Sequence, residues 1–171
     1  MYIPIILGTA REGRRSENVA KFMLTEVKKF GFDTEIIDVR DFLIGHTDNT
    51  GKSNLAQKYS TLIKKAEALI IVSPEYNHGY PGELKIMLDM LYAEYAGKPV
   101  GICGVSIGQF GGARMVEQLR QVLIEFSMVP IREALYFGNV SSLFDAENNI
   151  TEPDFTNRVQ KFLENLKQHL R

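Results

Sequence analysis

The stretch from Ala68 to Leu91 constrains the fold more than any other. Ala68-Leu69-Ile70-Ile71-Val72 is apolar without alternation, which predicts a central parallel strand covered on both faces. Ser73-Pro74-Glu75-Tyr76-Asn77-His78-Gly79-Tyr80-Pro81-Gly82 then stops it with two prolines and two glycines among ten residues. Pro81 suits the first turn of a helix on which Leu84, Leu88 and Leu91 recur at helical spacing. In open parallel sheets ligands bind beyond the carboxyl ends of the strands, which is where this loop falls. Its amides, carboxylate, carboxamide and two tyrosines suit a flat heterocycle.

The remaining elements follow in order. Ile3 to Leu7 predicts a first strand, and Ser16 is a candidate cap for a helix with Val19, Phe22, Met23, Val27 and Phe30 on one face and Gly31 as its stop. Thr34 to Val39 predicts a second strand at an edge, because charged residues bracket it. Leu55, Tyr59, Leu62, Ile63 and Ala66 mark a second helix. Val100 to Val105 is the fourth strand, followed by a helix with Val116, Leu119, Leu123 and Phe126 inward. Met128 to Ile131 is a weaker fifth strand, and Pro130 argues for an edge. After an irregular stretch from Gly138, Thr151 and Asp154 suggest a cap pair for a last helix carrying Phe155, Val159, Phe162, Leu163, Leu166 and Leu170. Five strands alternating with helices predict a parallel sheet with helices on both sides.

With 171 residues the chain is expected to form one domain, residues 1–171. A net charge of −1 argues against attraction to nucleic acid or anionic membrane, and no apolar run is long enough to span a bilayer. The lone Cys103 excludes an internal disulfide and a thiolate metal cluster, so no metal site is expected. Ile3 to Leu7 lacks the basic start of a signal peptide, which gives a cytoplasmic expectation.

Gly8-Thr9-Ala10-Arg11-Glu12-Gly13-Arg14-Arg15-Ser16-Glu17-Asn18 follows a strand and opens a helix, the arrangement of a phosphate site. The glycines allow close approach, Thr9 and Ser16 bring hydroxyls, and arginine grips phosphate in bidentate fashion. Gly8 and Gly13 almost spell a nucleotide triphosphatase loop, but Arg14-Arg15 stands where Lys followed by Ser or Thr is needed.

Pro74-Glu75-Tyr76-Asn77 with Pro81-Gly82-Glu83-Leu84-Lys85 resembles the isoalloxazine-binding loop of the NADPH-dependent FMN reductase family, which includes quinone, azo-dye and chromate reductases. Gly8 to Asn18 resembles the same family's phosphate loop, with Thr9 in place of the commoner serine. Gly111-Gly112-Ala113-Arg114 is similar to its motif after the fourth strand. The resemblance implies a flavodoxin-like, doubly wound five-stranded parallel sheet in three α/β/α layers, order 2-1-3-4-5, with its switch point between strands one and three. It implies FMN as cofactor and NAD(P)H as co-substrate, with Arg11, Ser16 and Asn18 on the phosphate. The Pro74, Glu75, Tyr76 and Asn77 backbone and the Asn77 side chain would hold the ring, with Tyr76 at its edge or at a dimer mate. Ser106 and the backbone from Gly108 to Gly112 would close over it. Arg14 or Arg15 faces the 2′-phosphate of NADPH or simply water, and His78 and Tyr80 are candidates for the substrate opening. Hydride transfer needs no protein base, since the cofactor carries it, so no catalytic residue is assigned and Glu75 is not read as a base. The implied reaction is ping-pong reduction of quinones, azo compounds or other small acceptors by a homodimer or dimer of dimers. Tyr92 and Tyr95 are packing or interface residues.

Two rivals belong to other classes. Gly104-Val105-Ser106-Ile107-Gly108 matches a Gly-x-Ser-x-Gly nucleophile elbow, which would make Ser106 a hydrolase nucleophile. The other is a flavodoxin-type electron carrier without NAD(P)H activity. Flavodoxins are usually acidic and cradle phosphate with Thr and Ser, whereas this loop carries three arginines.

Overall fold

A computed structural model describes residues 1–170. Five strands form one parallel sheet in the order β2-β1-β3-β4-β5: β1 (Ile5–Leu7), β2 (Ile36–Asp38), β3 (Leu69–Pro74), β4 (Pro99–Val105) and β5 (Val129–Phe137). The connections carry α1 (Ser16–Lys29), α2 (Asn54–Lys65), α3 (Gly82–Leu88) and α4 (Ala113–Glu125), and α5 (Phe155–Gln168) closes the chain. The sheet order and the flavodoxin-like architecture are those expected.

Alternation along each strand divides the core into two layers. Ile5, Leu7, Ile70, Val72, Cys103 and Val105 meet α1 and α5 on one face. Ile6, Leu69, Ile71, Val100 and Ile102 meet α2, α3 and α4 on the other. Because both faces are covered, the central strands are apolar at nearly every position, the pattern that made them readable. Gly101 of β4 lies directly beneath the Phe162 ring, leaving no room for a side chain. Cys103 is fully buried, and desolvation pushes its thiol pKa well up.

Several local expectations are corrected. β2 is shorter than Thr34 to Val39: it ends at Asp38, whose carboxylate accepts from the Arg40 amide and opens a 3-10 turn over Val39–Phe42. β5 runs six residues past Ile131, to Phe137. Its register against β4 shifts between Val100 and Ile102, so a bulge realigns the outer half with Cys103 to Val105. Pro81 precedes α3 instead of lying in its first turn, and Leu91 is buried beyond the helix end. Ser16 is the first helical residue, not a cap, and Arg15 occupies the cap position with no side-chain bond. The Thr151–Asp154 cap pair does not form, since the Thr151 hydroxyl donates to the Leu143 carbonyl.

No helix among the described residues is long and apolar enough to cross a membrane.

Candidate active site

The turns leaving β1, β3 and β4 meet at the carboxyl end of the sheet. They enclose a crevice of about 220 Å³ lined by Arg11, Gly13, Arg14, Arg15 and Ser16 from the first turn, Pro74, Glu75 and Tyr76 from the second, and Val105, Ser106 and Ile107 from the third, with Val140 beyond β5. One end is cationic and rich in backbone N–H groups; the other is walled by Val105, Ile107 and Val140. A second hollow on the outer side of the first turn shares Gly13, Arg14 and Arg15 and adds Glu17 and Asn18.

The polar end has a buried hydroxyl without a partner in the protein, and it fits a phosphate oxygen. Ser16 is 2% exposed, and its Oγ makes no hydrogen bond although it sits at the N-terminus of a fourteen-residue helix. A buried hydroxyl left open at a positive helix end is expensive unless a ligand takes it. Gly13, at φ +63° with nothing near its missing Cβ, lets the backbone pass close to such a ligand.

The other first-turn side chains diverge from expectation. Thr9 is fully buried, and its hydroxyl is engaged within the protein, 2.9 Å from Glu83 Oε1, which also accepts from the Ala10 amide at 2.9 Å. Burial raises the Glu83 pKa, but these bonds more than offset it and hold the pKa below the ordinary value, so the group is an ionised acceptor. The single Thr9 proton therefore goes to Glu83, and the Tyr76 phenol, 3.1 Å from Thr9 Oγ1, is the donor in that contact. Tyr76 thus offers the crevice acceptor lone pairs. The Arg14 guanidinium is turned inward: it is 3% exposed, pairs with Asp38 at the end of β2 and donates to the Thr9 carbonyl. Arg11 and Arg15 are exposed and line the crevice, whereas Asn18 lies in the outer hollow, where its carbonyl accepts from Asn148.

The second and third turns are tied together. The Glu75 carboxylate, 6% exposed, pairs with Arg114 at 2.6 Å and accepts from the Met115 amide in the first turn of α4. It serves as the cap that Gly112 cannot supply. Tyr76 and Gly79 exchange backbone bonds of 2.8 and 2.9 Å around Asn77 and His78, both left-handed at φ +49° and +70°, which makes a two-residue hairpin of type I′ form. Asn77 and His78 are exposed at its tip and do not line the crevice. Tyr80 is half-buried against the core and does not line the crevice.

Gly111 and Gly112 press on Tyr136 and Val105 so closely that no Cβ fits, which fixes the third turn by backbone packing. Ser106 Oγ donates to the Gly108 carbonyl at 2.8 Å. The nucleophile reading of Ser106 has no support here. α4 begins at Ala113, and His169 borders Pro99, at the opposite end of β4 from Ser106.

Sequence reading missed Asp38, Arg40 and Glu83, which brace the first turn from behind. Their one local signal was polar residues at the end of a strand and in the first turn of a helix. A wider, shallower hollow of about 690 Å³ lies between residues 47–51, the turn from Asp89 to Glu94, and Phe126. None of its lining comes from the three turns, and its size reflects shape alone.

The chain is 27% identical over 169 residues to a 2-hydroxy-1,4-benzoquinone reductase of a Burkholderia species, covering 95% of this chain and 92% of that protein. It is 29% identical over 175 residues to an FMN-dependent NADPH-azoreductase of Staphylococcus saprophyticus, covering 95% and 91%. In structure it resembles FerB, a flavoenzyme NAD(P)H:(acceptor) oxidoreductase of Paracoccus denitrificans, with a TM-score of 0.85, 20% identity and 99% of each chain covered. The model of the NADPH-dependent FMN reductases matches residues 1–142. The chain therefore belongs to the NADPH-dependent FMN reductase family, and is an oxidoreductase that works with FMN and with NAD(P)H as co-substrate.

Proposed function

We propose that this protein reduces small quinone-like or azo acceptors with NAD(P)H in a ping-pong cycle, in which nicotinamide and acceptor occupy the same open face in turn. The observation that carries the reading is the crevice itself: an unpartnered buried hydroxyl and two free arginines at one end, apolar walls at the other. Arg11, Arg15 and Ser16, with the N–H groups opening α1, hold the FMN phosphate. The backbone of Pro74, Glu75 and Tyr76 and the Tyr76 phenolic oxygen meet the inner edge of the ring, while Ile107 and Val140 exclude water beside it. Ser106 and Gly108 close the far side. Bound there, FMN supplies the redox chemistry, accepting hydride from the nicotinamide and delivering it to the acceptor. Thr9 acts through the Tyr76 hydrogen bond and not by touching phosphate, and Asn77, His78 and Tyr80 stand outside the cofactor contacts. The quinone and azo classes come from the names of the relatives.

We further propose a homodimer built on α3 and α4, where Tyr92 is 58% exposed with its ring edge-on to Phe126.

Initial rates of NADPH oxidation by the FMN-loaded protein, measured at several 1,4-benzoquinone concentrations, test the mechanism. Parallel double-reciprocal lines support it, and intersecting lines reject the ping-pong order. Tight FMN binding with no NADPH oxidation would leave a flavodoxin-type carrier.

A further inference from the structure

The first turn is held by Arg40, a residue that does not itself line the crevice. Arg40 lies in the 3-10 turn after β2 and is exposed, yet its guanidinium bridges two consecutive carbonyls of the first turn: Nε to Ala10 at 3.0 Å and a terminal nitrogen to Arg11 at 2.6 Å. Arg14 takes the preceding carbonyl, that of Thr9. Asp38 joins the two braces, binding the Arg14 guanidinium with its carboxylate while accepting the Arg40 amide. Three successive carbonyls are thus drawn to one side by two arginines.

Peptide planarity converts this into a statement about the opposite side. In a trans peptide the C=O and the next N–H point in opposite directions. Anchoring the Ala10 and Arg11 carbonyls therefore fixes the N–H groups of Arg11 and Glu12 facing away from Arg40. The Arg11 amide makes only a long contact of 3.4 Å, to Thr9 Oγ1, and the Glu12 amide meets no acceptor among the described residues. The planar fork of arginine is what allows one side chain to hold two carbonyls; a lysine ammonium is a point charge on a flexible stem.

We infer that Arg40 is a positioning residue for the cofactor phosphate: by clamping the Ala10 and Arg11 carbonyls it keeps the first turn set to receive an anion before FMN arrives. The inference rests on the phosphate placement proposed above, and the test separates the two.

Dissociation constants for FMN and for riboflavin, which lacks the phosphate, are measured by flavin fluorescence titration for the native protein, Arg40→Ala, Arg40→Lys and Ser16→Ala. Loss of two charge-assisted bonds is expected to weaken FMN binding about tenfold in both Arg40 variants and to leave riboflavin within about twofold. Restoration of FMN affinity by Arg40→Lys would show that charge alone matters and overturn the inference, as would an equal loss for riboflavin, which signals a general structural role. If Ser16→Ala weakens FMN and Arg40→Ala does not, the Arg40 assignment fails and the phosphate site stands. If neither does, the phosphate placement fails and takes the inference with it. Unchanged riboflavin binding also reports that each variant is folded.

Discussion

The turn after β1 and the turn after β3 meet in one crevice but are built in opposite ways. The first is braced from behind by Arg14, Arg40 and Glu83, so that what it shows the crevice is its backbone, the open Ser16 hydroxyl and the side chains of Arg11 and Arg15. The second is fixed at its base by Glu75 on Arg114, and ends in an exposed hairpin tip at Asn77 and His78. A fixed anion cradle suits the cofactor's one invariant end. An exposed tip suits a face that different acceptors visit.

Four substitutions probe this contrast. The largest effect is expected at the cradle: Arg11→Ala should weaken FMN binding by about 1.5 to 3 kcal/mol, the scale of a hydrogen bond to a charged group. An unchanged dissociation constant in a flavin fluorescence titration would remove Arg11 from the phosphate. Next comes the base of the second turn, where Glu75→Ala should lower the unfolding free energy by about 2 kcal/mol through loss of the Arg114 pair and the α4 cap. Urea midpoints at constant slope check this, and a midpoint equal to the native one would show that α4 does not depend on Glu75. A smaller effect is expected for Asp38→Asn. Burial raises the Asp38 pKa, but the Arg14 guanidinium and the Arg40 amide outweigh it, so the folded pKa lies below the unfolded one. Such a group stabilises above the unfolded pKa of about 4 and loses that contribution as pH falls through the folded value. Native and Asp38→Asn stabilities should therefore differ at pH 6 and converge as pH falls through the folded pKa of Asp38 in denaturant titrations; a constant gap would refute the linkage. The smallest effect lies at the tip. His78→Gly replaces a left-handed histidine with the residue that a type I′ turn prefers, and should change stability by no more than about 1 kcal/mol while leaving FMN affinity unaltered. A marked loss of FMN binding would return His78 to the site.

How much of this was legible in the sequence depended on whether the signal was local. β1, β3 and β4 were readable because strands covered on both faces are apolar at nearly every position; alternation with helices implied a parallel sheet, and the family resemblance implied its order. The outer half of β5 was not, since Arg132 and Glu133 open it and an edge strand beyond a bulge shows no such run. The positions of the three turns came from glycines, prolines and strand ends. The aim of the side chains within them did not, because Thr9 is turned inward by Glu83 and Arg14 by Asp38, partners 74 and 24 residues away. Pattern reading supplied the residue types at the crevice, and long-range pairing decided which of them face it.

The chain's single thiol has a consequence for the chemistry proposed here. Quinones are electrophiles that add to ionised sulfur, so an enzyme turning them over is exposed to arylation by its own substrate. Cys103 lies sealed in the middle of β4 with its proton retained by burial, and an electrophile reaches it only if the sheet opens. Resistance of the folded protein to this self-inflicted damage is thus a by-product of how its central strand is covered.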